Sequence, residues 1–255
     1  MKVDVVVLAG GDGAVIDPTC RFKGLLPIAG KPMVEWVAAA ARSAETVAEV
    51  AVVVPTAEDL GSWADTVDKL VVSDGSFIQN VMAGVRAFRN DRHVLITTGD
   101  LPALTAEAID DYVRRSVASG ADFTYPLVRR DDVLRQFPGS QRTFVRLKDG
   151  PVTGGNMMLV NPALVERNAE IGERLFETRK SALRMARVIG FRFAWKLAIG
   201  TLEVHEVEAK LGELLGGSGA AIYTSHASIG ADVDKPADVV VAERVLYQRL
   251  TGRIE

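Results

Sequence analysis

The sequence predicts an α/β domain built on a largely parallel sheet. Short aliphatic runs recur at Val3–Leu8, Val50–Val54 and His93–Thr98, the pattern of strands buried on both faces. Stretches of helical period separate them, as alternating strands and helices require. Two of the runs end in turns rich in glycine or aspartate, Gly10-Gly11-Asp12-Gly13 and Gly99-Asp100-Leu101-Pro102. In open α/β sheets the carboxyl ends of strands are where ligands bind.

Taken in order, Val3–Leu8 is a strand broken only by Asp4. The glycines behind it allow φ > 0 and let a ligand approach bare N–H groups. Lys23 follows, then Leu25-Leu26-Pro27, a second turn Ala29-Gly30-Lys31-Pro32, and a helix beginning near Pro32, a favoured first-turn residue. Val34, Val37, Ala38 and Ala41 share one face of that helix. Strand, glycine loop, lysine and helix fit a phosphate cradle, and equally an ordinary tight turn with a surface lysine.

Val50–Val54 is a second strand and Lys69–Val72 a short third. Asp74-Gly75-Ser76 turns into a helix from about Phe77 to Phe88, with Ile78, Val81, Met82 and Val85 inward. Behind the His93–Thr98 strand, Thr105 reads as the N-cap of a helix carrying Ala108, Ile109, Tyr112 and Val113.

The pattern changes after Asp122. Asp122–Val128 and Arg142–Leu147 read as strands, with Arg129 to Asp132 a solvated loop. Gly154-Gly155-Asn156 turns into a buried strand ending at Val160. A helical stretch, Ala163–Arg187, carries Arg174, Arg179, Lys180, Arg184 and Arg187. Phe191, Phe193, Trp195, Leu197 and Ile199 alternate as a strand or short helix would. Val204–Leu215 is helical, Ala220–Tyr223 a short strand, and a closing helix runs from about Pro236 to Leu250. The Ala163–Leu215 region is basic and apolar in turn. Core packing is its expected role, ahead of a lid, a homodimer face or association with a lipid surface.

Composition narrows the function. With 255 residues, 48% hydrophobic and 25% charged, the chain can bury a full core as one domain. A net charge of −3 gives no electrostatic case for nucleic acid. One cysteine, Cys20, excludes an intramolecular disulfide and a cysteine-based zinc cluster, and fits a reducing cytoplasm. The opening apolar run is too short for a signal peptide, and no stretch approaches the roughly 18–20 apolar residues of a membrane span. The expectation is a cytoplasmic protein with no membrane span.

Several residues could carry chemistry. Asp100, Asp232 and Asp234 come from distant segments and together could hold Mg²⁺, a hard ion that prefers carboxylates and phosphate oxygens. Each could instead merely cap the helix behind it. Lys23 could place a point charge on a phosphate or be simply solvated. Asn156 could bond a sugar or phosphate, or shape its turn; Asn80 could face a base or ribose, or be a lone polar residue. Asp238 reads as a first-turn helix residue. His93, His205 and His226 lack metal-ligand spacing, and no His pattern accompanies Cys20. No nucleophile elbow or Walker lysine motif is present, and the glycines miss the G-x-G-x-x-G spacing of dinucleotide folds.

The segments LAGGDG and KGLLPIAGKPMVEWV resemble the opening of the nucleotidyltransferases with a GT-A-like fold, close to molybdenum cofactor guanylyltransferase and the sugar-nucleotide pyrophosphorylases, the MobA-like NTP transferase family. VLITTGDLPALT resembles their metal-binding Asp motif, GGNMMLVNP their acceptor-side turn, and GADVDKPADVVVAERVL their closing D-x-D-x-P-x-D segment. The resemblance implies a mostly parallel, Rossmann-like central sheet flanked by helices, with a smaller mixed acceptor-side sheet and a helical insertion. It implies an NTP-binding part over 1–121, an acceptor-side part over 122–219 and a returning metal-ligand segment over 220–255, all in one nucleotidyltransferase domain.

It further implies that the backbone of Leu8, Ala9, Gly10, Gly11, Asp12 and Gly13 holds the base and phosphates, that Lys23 contacts the phosphates, and that Asp100 and Asp234 bind Mg²⁺ (or Mn²⁺) with Asp232 as helper. Gly99 lies beside the metal ligand; Asn80 matches a base-side position and Asn156 an acceptor-side one. The family carries an Arg four residues after the last glycine of its L-A-[AG]-G motif. Here that position is Val15, and Arg21 is the nearby cation. The implied reaction is Mg-dependent transfer of a nucleoside monophosphate from an NTP, GTP or CTP favoured, to a phosphorylated acceptor, with release of pyrophosphate. The alternatives are a nucleotide-binding protein without turnover, motivated by Val15, and a glycosyltransferase of the same fold, against which Lys23 argues.

Overall fold

The computed structural model describes residues 1–58, 60–178 and 190–252. In chain order the first half contains β1 (Val3–Leu8), β2 (Pro27–Ile28), β3 (Lys31–Pro32), α1 (Met33–Ser43), β4 (Val47–Val54), β5 (Lys69–Val72), α2 (Phe77–Arg86), β6 (Val94–Thr98) and α3 (Ala106–Ser119). The second contains β7 (Phe123–Arg129), α4 (Arg130–Gln136), β8 (Val145–Leu147), β9 (Gly150–Gly154), β10 (Met157–Val160), α5 (Pro162–Arg167) and α6 (Ala169–Thr178). After these come α7 (Phe191–Ala198), α8 (Val204–Leu215), β11 (Gly219–Thr224) and α9 (Pro236–Thr251).

Among the described residues a nine-stranded sheet runs β5-β4-β1-β6-β10-β7-β9-β8, with β11 also paired to β7; β2 and β3 form a separate two-stranded sheet. The first four strands are parallel. β10 is antiparallel to both β6 and β7, so the sheet becomes mixed at that point without a break. The parallel half is thus continuous with the mixed half.

The period of two in β1 explains its two packing faces. Val3, Val5 and Val7 face the core shared with α1 and α3, whereas Val6 and Leu8 face the side covered by α2. All six residues are buried. Asp4 is fully buried among them, and its carboxylate accepts from Asn90 Nδ2 at 2.9 Å and Arg92 Nε at 3.2 Å. A charge inside a sheet is tolerable only with such partners.

Several boundaries depart from the sequence reading. Pro32 is the N-cap of α1 rather than its first-turn residue, because the two-residue β3 holds it extended. The stretch Arg129–Asp132, expected as a loop, leads into helix α4. Val133 and Phe137 bury against Ala103, Val128 and Ala227 and pull this charged segment onto the domain. The single helix expected over Ala163–Arg187 breaks at Asn168, whose Nδ2 donates to Leu164 O at 2.9 Å and Leu215 O at 2.8 Å. Its remainder with Arg179, Lys180, Arg184 and Arg187 lies outside the described residues. Phe191–Ala198 is a helix. Core packing, expected for the Ala163–Leu215 region, holds for buried Leu164 and Leu202; α7 and α8 contain no fully buried residue and contribute partly buried ones, Phe193, Leu197, Val204, Val207, Leu211 and Leu215, that pack against the core.

Candidate functional site

Parallel pairing of β1 with β6 puts their carboxyl ends side by side, Leu8 opposite Thr98. The glycine loop and Asp100 therefore emerge at one edge. The loop's own geometry follows from glycine. Gly11 has φ +99°, which L side chains rarely adopt, and a Cβ on Gly13 would lie 2.5 Å from Cys20 O. Lys23 N donates to Gly11 O at 3.0 Å and Gly13 N to Arg21 O at 3.3 Å, so the loop folds back on the Arg21–Lys23 segment. Ala9 N donates to Val53 O and Leu8 O accepts from Gly99 N, both at 2.8 Å. The N–H groups of Ala9 and Gly13 are thus engaged within the protein. Among the described residues the N–H groups of Gly10, Gly11 and Asp12 find no protein acceptor, and these remain to meet an anion.

The third segment arrives from the other end of the chain. Beyond β11, Ile229 O accepts from Asn156 N at 2.9 Å and Val233 N donates to Asp100 O at 3.0 Å. This pins the Asp232–Asp234 stretch to the end of β6. The carboxylates of Asp100, Asp232 and Asp234 then lie within 4.8 Å of one another, a set of hard oxygen donors that suits Mg²⁺ or Mn²⁺. Lys23 enters the same cluster. Its Nζ is 2.6 Å from Asp100 Oδ2 and is also bonded to Asp234. Burial alone would lower the lysine pKa; the two carboxylates outweigh it and hold it above the ordinary value. Thr98 Oγ1 donates to the other oxygen, Asp100 Oδ1, at 2.5 Å.

Asp232 is held differently. Its carboxylate and its carbonyl oxygen both accept from the guanidinium of Arg142, whose side chain is slightly more buried than that of Asp100. Burial lowers the Arg142 pKa against the pull of Asp238, Asp234 and Asp100. Arg142 went unnoticed in the sequence, where it is a lone cation 90 residues from its partner in a polar stretch without motif. Thr98 was missed too, though its place two residues before Asp100 was a usable signal. Asp238 accepts from the N–H groups of Asp234 and Lys235, both at 3.0 Å, and stands in the first turn of α9 as expected.

The remaining candidates fall outside the cluster's bonding. Arg21 stacks its guanidinium on Phe22, 4.8 Å from the ring centroid, and Val15 is 69% exposed. Asn80 spends its amide on its own loop. Oδ1 accepts from Ser73 Oγ at 2.7 Å and Gly75 N at 3.1 Å, and Nδ2 donates to Gly75 O at 3.1 Å. It shapes the turn before α2. The backbone of Asn156 is tied to Ile229 and to Thr98, which sets the residue beside the β6 end. Cys20 Sγ donates to Phe22 O at 3.1 Å, and burial pushes its thiol up, away from nucleophilic use. An open depression of about 450 Å³, lined by Glu45, Glu107, Asp110 and Asp111 among others, shares no residue with the cluster.

Comparison with known proteins gives the following. The model of the MobA-like NTP transferase domain matches residues 5–182. The chain is 32% identical over 135 residues to the bifunctional protein GlmU of Synechococcus sp. (strain RCC307), an alignment covering 50% of this chain and 29% of that protein. A hypothetical transferase from Thermus thermophilus superposes with a TM-score of 0.81 at 30% identity, over 94% of this chain and all of the other. A CMP:2-keto-3-deoxy-manno-octonic acid synthetase complexed with CTP shares the fold, with a TM-score of 0.64 at 14% identity over 98% and 100% of the two chains.

Proposed function

The chain belongs to the MobA-like NTP transferase family of nucleotidyltransferases, and on that premise we propose that it transfers a nucleoside monophosphate from an NTP to a phosphorylated small-molecule acceptor, releasing pyrophosphate. The observation that carries this reading is the meeting of Lys23, Asp100 and Asp234 beside the free N–H groups of Gly10, Gly11 and Asp12. Three anchoring elements for a triphosphate, from the start, middle and end of the chain, share one strand-end edge.

In the proposed reaction an acceptor phosphate oxygen attacks the α-phosphorus of the NTP. The bond from that phosphorus to the bridging α–β oxygen breaks, and pyrophosphate leaves with the electron pair. The attacking oxygen is already ionised near neutral pH, so the protein needs no strong general base. Its task is positioning and charge neutralisation. Gly10, Gly11 and Asp12 N–H groups would cradle phosphate oxygens, and Lys23 would turn from its two carboxylates to the phosphates. Asp100 and Asp234 would hold the divalent cation, with Asp232 kept beside them by Arg142. That cation, when bound, supplies Lewis-acid neutralisation of phosphate charge. Asn156 stands on the acceptor side of this arrangement.

The test is pyrophosphate release with each of the four NTPs, Mg²⁺ and a panel of sugar phosphates, for the native chain and for Asp100→Ala. The main-chain bonds from Thr98 N to Asn156 O and from Val233 N to Asp100 O do not depend on the Asp100 side chain, so the variant should fold and lose turnover by about 10²–10³-fold. Turnover retained in Asp100→Ala would overturn the scheme. Tight NTP binding by the native chain without release would assign it to nucleotide binding instead.

A further inference from the structure

Neither stability nor charge accounts for Arg142 in the acidic cluster. Its side chain is 13% exposed, and its Nε is buried without a hydrogen-bond partner among the described residues. An ion pair this deeply buried adds little net stability, because both charges lose their water. The guanidinium also lies within electrostatic reach of Asp100 and Asp234, where its charge opposes the entry of a divalent cation.

What Arg142 does is hold Asp232. One terminal nitrogen donates to Asp232 Oδ1 and the other to the main-chain carbonyl oxygen of the same residue. Residues 231–234 belong to no helix or strand, and no other described side chain bonds the Asp232 carboxylate. One guanidinium therefore fixes both the main chain and the side chain of this residue. The grip leaves Asp232 Oδ2 without a hydrogen bond from any described residue. Asp100 is arranged in the same way. Thr98 Oγ1 holds its Oδ1, while its Oδ2 meets the Lys23 ammonium. Carboxylates that bind metal ions are oriented by such outer hydrogen bonds, which keep one oxygen in place and leave the other for the ion.

We propose that Arg142 is a positioning residue of the cation site, gripping Asp232 by Oδ1 and the carbonyl so that Oδ2 joins Asp100 and Asp234 as a third carboxylate ligand. The inference rests on reading the cluster as the Mg²⁺ site of the proposed reaction. It adds to that reading a full ligand role for Asp232 and a residue, remote in sequence, that sets it.

The test uses Mn²⁺ as probe, because its electron paramagnetic resonance signal reports the free ion and needs no turnover. Mn²⁺ is titrated into the full chain without nucleotide, well below the melting temperature of each variant. Arg142→Ala should bind about 10–100-fold more weakly than the native chain, the range for losing the outer partner of a metal ligand. Removing a positive charge acts the other way, so the sign of the change separates positioning from charge. Arg142→Gln, neutral and too short to span both oxygens, should show the same loss and serves if the alanine variant does not fold. Asp232→Asn should weaken binding as well, and adding Arg142→Ala to it should change little further, because both act through one ligand. The proposal is overturned if an Arg142 variant binds Mn²⁺ as tightly as the native chain or more tightly, or if Asp232→Asn binds undiminished. Either result, with Mn²⁺ bound by the native chain, leaves the proposed reaction standing. A native chain that binds no Mn²⁺ overturns the cation reading of the cluster together with this inference, and the pyrophosphate assay then decides the reaction separately.

Discussion

Replacing Lys23 by Met tests whether its ammonium stands in the position a divalent cation takes. The side chain keeps its length and loses its charge. Two carboxylates, Asp100 and Asp234, are then left within 4.8 Å of each other without the cation between them. Two unit charges at that distance repel by about 3.5 kcal/mol at an effective dielectric of 20 and by about 0.9 kcal/mol in water. Asp100 is 15% exposed and Asp234 57%, so solvent screens the pair substantially and the lower half of that range applies. A loss of about 1–2 kcal/mol is expected, or about 3–6 °C in Tm for a domain of this size. Mg²⁺ should then stabilise the variant more than the native chain, because it no longer competes with the ammonium. At ten times its Kd it would restore about 1.4 kcal/mol. The assay is thermal melting with and without Mg²⁺. A Lys23→Met protein as stable as the native one without metal, or an equal Mg²⁺ shift in both, would refute the placement.

Other changes follow from the same contacts. Arg142→Ala leaves the Asp232 carboxylate buried and unpaired, so a destabilisation of about 3 kcal/mol is expected in denaturant titration; adding Asp232→Ala should recover much of it. Gly13→Ala drives a methyl group into the Cys20 carbonyl, and should raise KM for the NTP by about tenfold or more while far-UV circular dichroism stays unchanged. Asp110 accepts from Glu45 N, Thr46 N and Thr46 Oγ1, and although burial opposes them these bonds hold its pKa below the usual 3.8. Its contribution is therefore present above pH 3.8 and lost as pH falls through the lowered value, so Asp110→Asn should flatten the acid limb of a stability–pH curve. Lys23, whose pKa is raised above 10.5, gives the opposite sign. Its contribution is complete below pH 10.5 and fades as pH rises through the raised value, a loss that Lys23→Met should not show.

Much of this protein was written locally. The aliphatic run Val3–Leu8 could only be a buried strand, Thr105 was legible as a cap and accepts from Ala108 N at 3.1 Å, and Asp238 was legible as a first-turn residue. Periodicity and capping act over a few residues, so a sequence displays them. The motifs of the family resemblance also named Lys23, Asp100 and Asp234 from three distant stretches, and the fold brings these side chains into contact. Where the reading failed, long-range contacts decided. Charged Arg130–Gln136 is helical because Val133 and Phe137 find a surface to cover.

Sequence by itself determined the strand–helix order and the identity of the acidic and basic groups at the site. Only the tertiary structure decided how they pair. Parallel registry of β1 and β6 sets the glycine loop beside Asp100, and one main-chain bond from Val233 brings in Asp234. Arg142 joins Asp232 across 90 residues with no local signal. Such pairings depend on distance in space, which a chain acquires only when its sheet closes.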